Sequence, residues 1–310
     1  MHVDYSYHAL DECSKEPHVV RHTSKELHMF TVFGATGNTG SVVVERLLAA
    51  GKQVRAVVRS NDTKLKATEL AVGDVTDAAF VAKALAGAEG AYLIIPPDLK
   101  SNDVLGKNRG IVDNYVAGLA GAKLPHAVFL SAVGAQQPSG NGPIAISHYG
   151  EVALPKTGTK MTLLRAAYFM DNVLANAYPM KSDGVLPVFG GGEGYPFPMV
   201  ASRDIGSAAA DALLAPPSAT QWIELHGPRD YSFVDAAAAA SQILGRSVKA
   251  TALPIEQMVP TLTKLGFSEN MAGLYREMTE AFGKGLNFEG KGRTLKGTTE
   301  LAEVLRRGLA

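Results

Sequence analysis

One cysteine in 310 residues, Cys13, leaves no material for a disulfide framework or a cysteine-based metal site. Neither sign of charge is in excess, with 30 basic residues against 30 acidic ones. That balance removes the basic footprint that nucleic acid or an anionic membrane surface requires. Long hydrophobic runs are also missing: no stretch nears the roughly eighteen uninterrupted apolar residues of a membrane-spanning helix. The N-terminus has no apolar core of a secretory signal. These absences lead to the expectation of a cytoplasmic protein acting on a small molecule, with no nucleic-acid and no membrane partner. What is present is core material: 46% of the residues are hydrophobic and only 19% charged. The length suits one large α/β domain, or a dinucleotide-type domain with a smaller lobe.

Residues 1–28 differ from the rest. They hold five of the eight histidines (His2, His8, His18, His22 and His28) and follow neither a helical nor a strand period. The histidines lack ligand spacing, so no metal site is expected. The segment reads as a flexible N-terminal extension, or as residues upstream of a native start at Met29.

From Met29 the pattern alternates. Short apolar runs predict strands over 29–33, 53–58, 69–72, 91–95, 126–133 and 161–166. Helical spacing predicts helices over 41–50, 77–85 (capped near Thr76), 107–119 and 147–156, with a shorter one over 61–67. This βαβ rhythm predicts an α/β fold, a doubly wound parallel sheet with helices on both faces. The dinucleotide-binding core is expected over about 29–160. A smaller C-terminal α/β substrate lobe is expected mainly from about 165–310, with helices over 205–214, 234–244, 255–283 and 301–309 and strands over 222–226 and 248–253. The stretch 180–200, rich in glycine and proline, reads as a loop of the kind that covers ligands.

The chemistry begins at Gly34-Ala35-Thr36-Gly37-Asn38-Thr39-Gly40, between the first strand and the first helix. There the first glycine permits a tight turn, the second lets backbone approach a pyrophosphate, and the third packs helix on strand. Amides at the helix N-terminus then face the anion along the dipole. The second strand ends Val57-Val58-Arg59-Ser60, with Lys64 nearby. A strand end carrying arginine in place of an acid favours the 2′-phosphate of NADP over the bare ribose of NAD, unless Arg59 is simply a solvated charge. Asp74, after the third strand, can accept from an adenine amino group or cap the following helix with Thr76.

Taken together the chain resembles the NmrA-like family of atypical short-chain dehydrogenases/reductases over about 29–310. The resemblance rests on the loop 34–40, on Val54-Arg55-Ala56-Val57-Val58-Arg59, on Gly73-Asp74-Val75-Thr76-Asp77 and on Leu130-Ser131-Ala132-Val133-Gly134-Ala135. It continues through Leu164-Arg165-Ala166-Ala167-Tyr168-Phe169-Met170-Asp171-Asn172, Arg203-Asp204-Ile205-Gly206, His226-Gly227-Pro228-Arg229-Asp230-Tyr231-Ser232 and Gly297-Thr298-Thr299. It implies a Rossmann-type NAD(P)-binding fold. It also implies Thr36, Asn38 and Thr39 around the pyrophosphate, Arg59 on the 2′-phosphate, and Asp74 and Val75 beside the adenine. Ile95, Pro96 and Pro97 would lie along the nicotinamide, and Phe169 and Met170 in the acceptor cavity, where plain core filling is the alternative.

Short-chain dehydrogenases protonate the substrate with a tyrosine helped by a lysine four residues on, plus a serine. Ser131 and Tyr149 stand where the serine and tyrosine belong, but position 153 is Ala153 and Lys156 is on the wrong face. His148 is the remaining acid–base candidate. Two functions stay open at this level: an NADPH-dependent reductase of a small quinone, carbonyl or azo-type acceptor, or a non-catalytic NADP(H)-binding redox sensor that regulates a protein partner. Whether the chain forms a homodimer also stays open.

Overall fold

The computed structural model describes residues 29–61, 64–285 and 292–310. The expected N-terminal extension, with Cys13 and the five histidines, lies outside the described residues.

Strands β1 (Met29–Val32), β2 (Gln53–Val58), β3 (Glu69–Val72), β4 (Gly90–Leu93), β5 (His126–Ala132) and β6 (Lys160–Ala166) are interleaved with α1 (Gly40–Ala49), α2 (Ala78–Leu85), α3 (Val104–Ala122) and α4 (Ala145–Ala153). Beyond them come β7 (Tyr168–Phe169), α5 (Ala177–Ser182), β8 (Val185–Phe189), β9 (Phe197–Val200), α6 (Ser202–Leu214), β10 (Gln221–His226) and β11 (Asp230–Tyr231). The chain continues with α7 (Phe233–Leu244), β12 (Lys249–Leu253), α8 (Met258–Lys264), α9 (Glu269–Gly283), β13 (Arg293–Lys296) and α10 (Leu301–Leu309).

Eight strands make one sheet in the order β13-β10-β6-β5-β4-β1-β2-β3, every neighbouring pair parallel. The central strands are apolar nearly throughout, which suits a sheet covered on both faces. Helices α1 and α6 cover one face, setting Val43, Leu47, Ile205 and Leu213 against Val32, Val54 and Tyr92. Helices α2, α3 and α4 cover the other, where Leu85, Tyr115 and Ile146 meet Leu93 and Phe129. Connections leave β1 in opposite directions on either side, so the C-terminal edge opens into a crevice between β1 and β4. This is the doubly wound Rossmann arrangement. The lobe packs separately around Met170, Met180, Leu186, Met199, Tyr231 and Leu305, between α5, α7, α10 and the small sheets β11-β9-β7 and β12-β8.

Four expectations need correcting. Residues 64–67 are irregular, not helical. The chain must climb back about 20 Å along β2 before β3 can pair in parallel. Ten helical residues would span only about 15 Å. Thr68 ends the climb, its amide donating to Val54 O and its Oγ1 accepting from Val54 N, both at 3.0 Å. The stretch 180–200 is not one loop, since it holds β8 and β9; Pro187 is tolerated on an edge strand, and Pro198 precedes the part of β9 that pairs with β7. Helix α2 is capped by Asp77, whose carboxylate accepts from Ala79 N and Phe80 N, and not by Thr76. Finally, α6, β10 and β13 extend the main sheet and its cover, so the lobe is smaller than 165–310.

Candidate cofactor and acceptor site

The loop between β1 and α1 is shaped by close approach. Gly34 sits at φ +63°, and a Cβ there would lie 2.7 Å from Ile94 Cγ2. A Cβ on Gly40 would lie 2.2 Å from Gly34 O, so the third glycine folds directly onto the first. Helix α1 then opens with no side chain hydrogen-bonded to its N-terminal amides and no acid in its first turn. An uncapped helix head of this kind is an anion site in waiting. Thr36, Gly37 and Asn38 are exposed on it. Thr39 is buried instead: its Oγ1 accepts from the Tyr92 hydroxyl at 2.9 Å, pinning the loop to β4. Gly206 of α6 presses on the same turn, where a Cβ would lie 2.6 Å from Thr39 O.

Arg59 is exposed at the end of β2. Asp74 is also exposed, with Oδ1 accepting from the backbone and the hydroxyl of Thr76, both at 2.8 Å. Those bonds, helped by the charges of Lys107 and Arg59, hold its carboxyl below the usual range. Asp74 therefore shapes its own turn and does not cap α2, which leaves its second oxygen for a ligand. Val75 is fixed through its carbonyl, which accepts from Asn114 Nδ2 at 2.9 Å. Beyond β4, Ile95 and Pro96 are half-buried and Pro97 is exposed. The following turn is tied down by Asp98, which pairs with Lys107 on α3. It also meets the lobe, because Ser268 N donates to Leu99 O at 2.8 Å and Asn270 Oδ1 accepts from Val104 N at 3.0 Å.

The three acid–base candidates do not converge. Ser131 is buried, and its Oγ donates to Glu151 Oε1 at 2.6 Å. Glu151 also accepts from Arg165 Nε at 2.9 Å, Arg165 Nη2 at 2.7 Å and Trp222 Nε1 at 3.1 Å. Glu224 on β10 lies 3.7 Å from Arg165 Nη1, and burial pushes its carboxyl up. This buried ionic cluster went unread in the sequence, although Arg165 inside an apolar strand is a signal for it: a buried guanidinium demands a carboxylate. Tyr149 points to α3, its hydroxyl donating to Asp113 Oδ1 at 2.8 Å, and Asp113 raises the phenol's pKa. His148 Nδ1 lies 2.8 Å from Ala135 O. A carbonyl only accepts, so Nδ1 carries the proton and neutral His148 offers Nε2 as an acceptor.

Of the two acceptor-side residues, Phe169 is half-buried where β7 leaves the sheet, while Met170 is fully buried among the lobe's core residues. The neighbouring motif residues are structural: Asp171 accepts from Ser202 N at the start of α6, and Asp204 holds Thr299 through its backbone and hydroxyl. Among the described residues no group of His, Cys, Asp and Glu is placed to hold a metal, and no helix is long and apolar enough to cross a membrane.

An NAD(P)H azoreductase of Xenophilus azovorans is 28% identical over 259 residues, covering 81% of this chain and 86% of that protein. The NADPH complex of a quinone oxidoreductase from Escherichia coli superposes with a TM-score of 0.74 at 22% identity, covering 90% of this chain and 99% of that one. The NADP(H) complex of a Citrobacter triphenylmethane reductase gives 0.75 at 22% identity, covering 90% and 100%. At such identities the solved structures establish shared fold only. The sequence model of one family spans nearly everything described above, residues 27–303, and on that ground the chain belongs to the NmrA-like family.

Proposed function

We propose that the protein is an NADPH-dependent reductase that passes hydride to a quinone or azo acceptor. The observation that carries this reading is the uncapped, glycine-built head of α1 with exposed Arg59 at the neighbouring strand end. That pair suits a dinucleotide with an extra phosphate, Arg59 supplying the guanidinium fork for the 2′-phosphate. Thr36, Asn38 and the three glycines border the pyrophosphate, Asp74 and Val75 border the adenine, and Ile95, Pro96 and Pro97 border the nicotinamide. Phe169 lies on the acceptor side. When bound, NADPH supplies the hydride; the protein supplies position and charge. The azoreductase, quinone oxidoreductase and triphenylmethane reductase to which the chain is similar support both cofactor and acceptor class.

The chain itself has little acid to offer. Ser131 is held by Glu151 and Tyr149 by Asp113, which leaves His148, able to donate from Nε2 only as imidazolium. A reduced quinone oxygen collects its proton from solvent, whereas a simple ketone needs a positioned acid. The test is NADPH oxidation with menadione, methyl red and acetophenone. Turnover is expected with the first two and little with the ketone, and His148→Ala should leave menadione reduction nearly intact. Tight NADPH binding without turnover of any acceptor would replace this reading with a non-catalytic NADP(H) sensor, which the diversion of Ser131 and Tyr149 into other bonds favours.

A further inference from the structure

Among the described residues, most buried or half-buried tyrosine hydroxyls are engaged. Tyr92 donates to Thr39, Tyr115 to Ile94 O, Tyr149 to Asp113 and Tyr231 to Glu300. Two half-buried phenols, Tyr168 on β7 and Tyr275 on α9, have no hydrogen-bond partner among the described residues.

Their position is fixed from several sides. One residue separates Tyr168 from the end of β6, which lies beside that of β5, with Ala166 level with Ala132. Helix α9 spans the C-terminal edge of the sheet. Its head is bonded to Leu99, Ser101 and Val104 after β4. Its middle rests on the connection after β5, where a Cβ on Gly142 would lie 2.1 Å from Leu274 O. Tyr275 packs with Val104 and Leu105, at the start of α3 beyond the end of β4, on the side of the crevice where the nicotinamide would lie. Aromatic rings back both phenols: Tyr168 stands edge-on to Phe197 at 5.5 Å and to Phe233 at 6.0 Å, and Tyr275 edge-on to Phe267 at 5.8 Å. Burial raises the pKa of both, and Tyr275 raises that of Tyr168 further.

We propose that Tyr168 and Tyr275 form the acceptor subsite, binding a planar aromatic quinone by hydrogen bonds from both phenols to one carbonyl oxygen. This rests on the reductase reading above and names its acceptor. Hydride transfer moves two electrons and one hydrogen onto the quinone, NADPH becoming NADP+, and leaves negative charge on the quinone oxygen. The phenols hold that charge by donation and keep their own protons; one proton from solvent then completes the hydroquinone. Aromatic backing favours flat π-surfaces over aliphatic carbonyls.

The experiment uses Tyr168→Phe, Tyr275→Phe and the double variant, with exposed Tyr178→Phe as control. Menadione reduction is measured alongside NADPH affinity, and menadione binding to the NADP+-loaded protein is measured by calorimetry. Each single variant is expected to lower kcat/KM for menadione about tenfold and the double about a hundredfold, because a donor aimed at developing charge counts most in the transition state. Ground-state menadione binding should weaken about threefold per hydroxyl. NADPH affinity and melting temperature should stay put, which a merely structural role would not allow. Normal menadione kinetics in the double variant would overturn the subsite while leaving the reductase intact. Failure of the wild-type NADP+ complex to bind menadione would also overturn it. Phenol-dependent menadione binding without turnover would uphold the subsite and sink the reductase reading.

Discussion

The two ends of the crevice are built differently. At the head of α1 the candidate site is backbone: Gly34, Gly37 and Gly40 fold a loop whose only buried side-chain bond, Tyr92 to Thr39, is a brace. Beside β5 and α4 the candidate site is side chain, and the three acid–base candidates are bonded elsewhere: Ser131 to Glu151, Tyr149 to Asp113 and His148 to Ala135 O. A backbone site is set by local spacing and resists reassignment. A side-chain site is set by whichever partners the fold delivers.

The sharpest way to break this contrast is at Glu151. If the β5–α4 end is organised by its ion pair, Glu151→Ala strands Arg165, itself 4% exposed, without its main carboxylate. Removing one member of a buried pair costs about 3–5 kcal/mol. Urea denaturation should show that loss, with Glu151→Gln combined with Arg165→Met recovering most of it. Unchanged stability in Glu151→Ala would mean the cluster does not hold α4.

At the other end, Gly40→Ala puts a methyl against Gly34 O, which the loop can relieve only by opening. NADPH affinity should fall roughly a hundredfold, about 2.7 kcal/mol, and some fold stability should go with it, because the methyl meets backbone. Wild-type affinity would show that the loop is not the phosphate cradle. Arg59→Ala should cost a comparable amount or less, about 1.5–3 kcal/mol for a charge-assisted contact, and should cost it for NADPH but not for NADH. Parallel titrations decide this. Equal wild-type affinities for the two nucleotides would remove the 2′-phosphate from the argument.

The same contrast explains what could be read from residues alone. Glycine spacing after a strand already contains the loop's geometry, so the tight turn at 34–40 was legible, as was the βαβ rhythm. The cluster was not, because Glu151 and Arg165 sit on a helix and a strand whose packing no local period encodes. Tyr275 was missed for a related reason: on an amphipathic helix a tyrosine looks like core until the fold leaves its hydroxyl unpartnered. Strand β13 was missed because Arg293-Thr294-Leu295-Lys296 is a polar, largely exposed edge whose strand character comes only from pairing with β10.

The smallest effect expected lies at the opposite end of β5, where burial acts without a countercharge. His126 is 3% exposed, with Nε2 3.1 Å from Thr162 Oγ1 and Nδ1 buried without a partner. Burial, reinforced by Lys160, pushes its pKa down to about 4. An unfolded histidine titrates near 6.5. As pH falls below that value the unfolded chain takes up a proton that the fold refuses. Stability present above about pH 6.5 is therefore lost progressively until the folded imidazole itself titrates near pH 4. His126→Gln cannot take up that proton in either state, so its stability should fall less steeply over the same window. The difference between the two proteins should change by about 2 kcal/mol between pH 7 and pH 4.5. Chemical denaturation at pH 7 and pH 4.5 measures this directly. Parallel pH profiles would mean that water reaches the ring, and that this end of β5, unlike the Glu151 end, is not sealed.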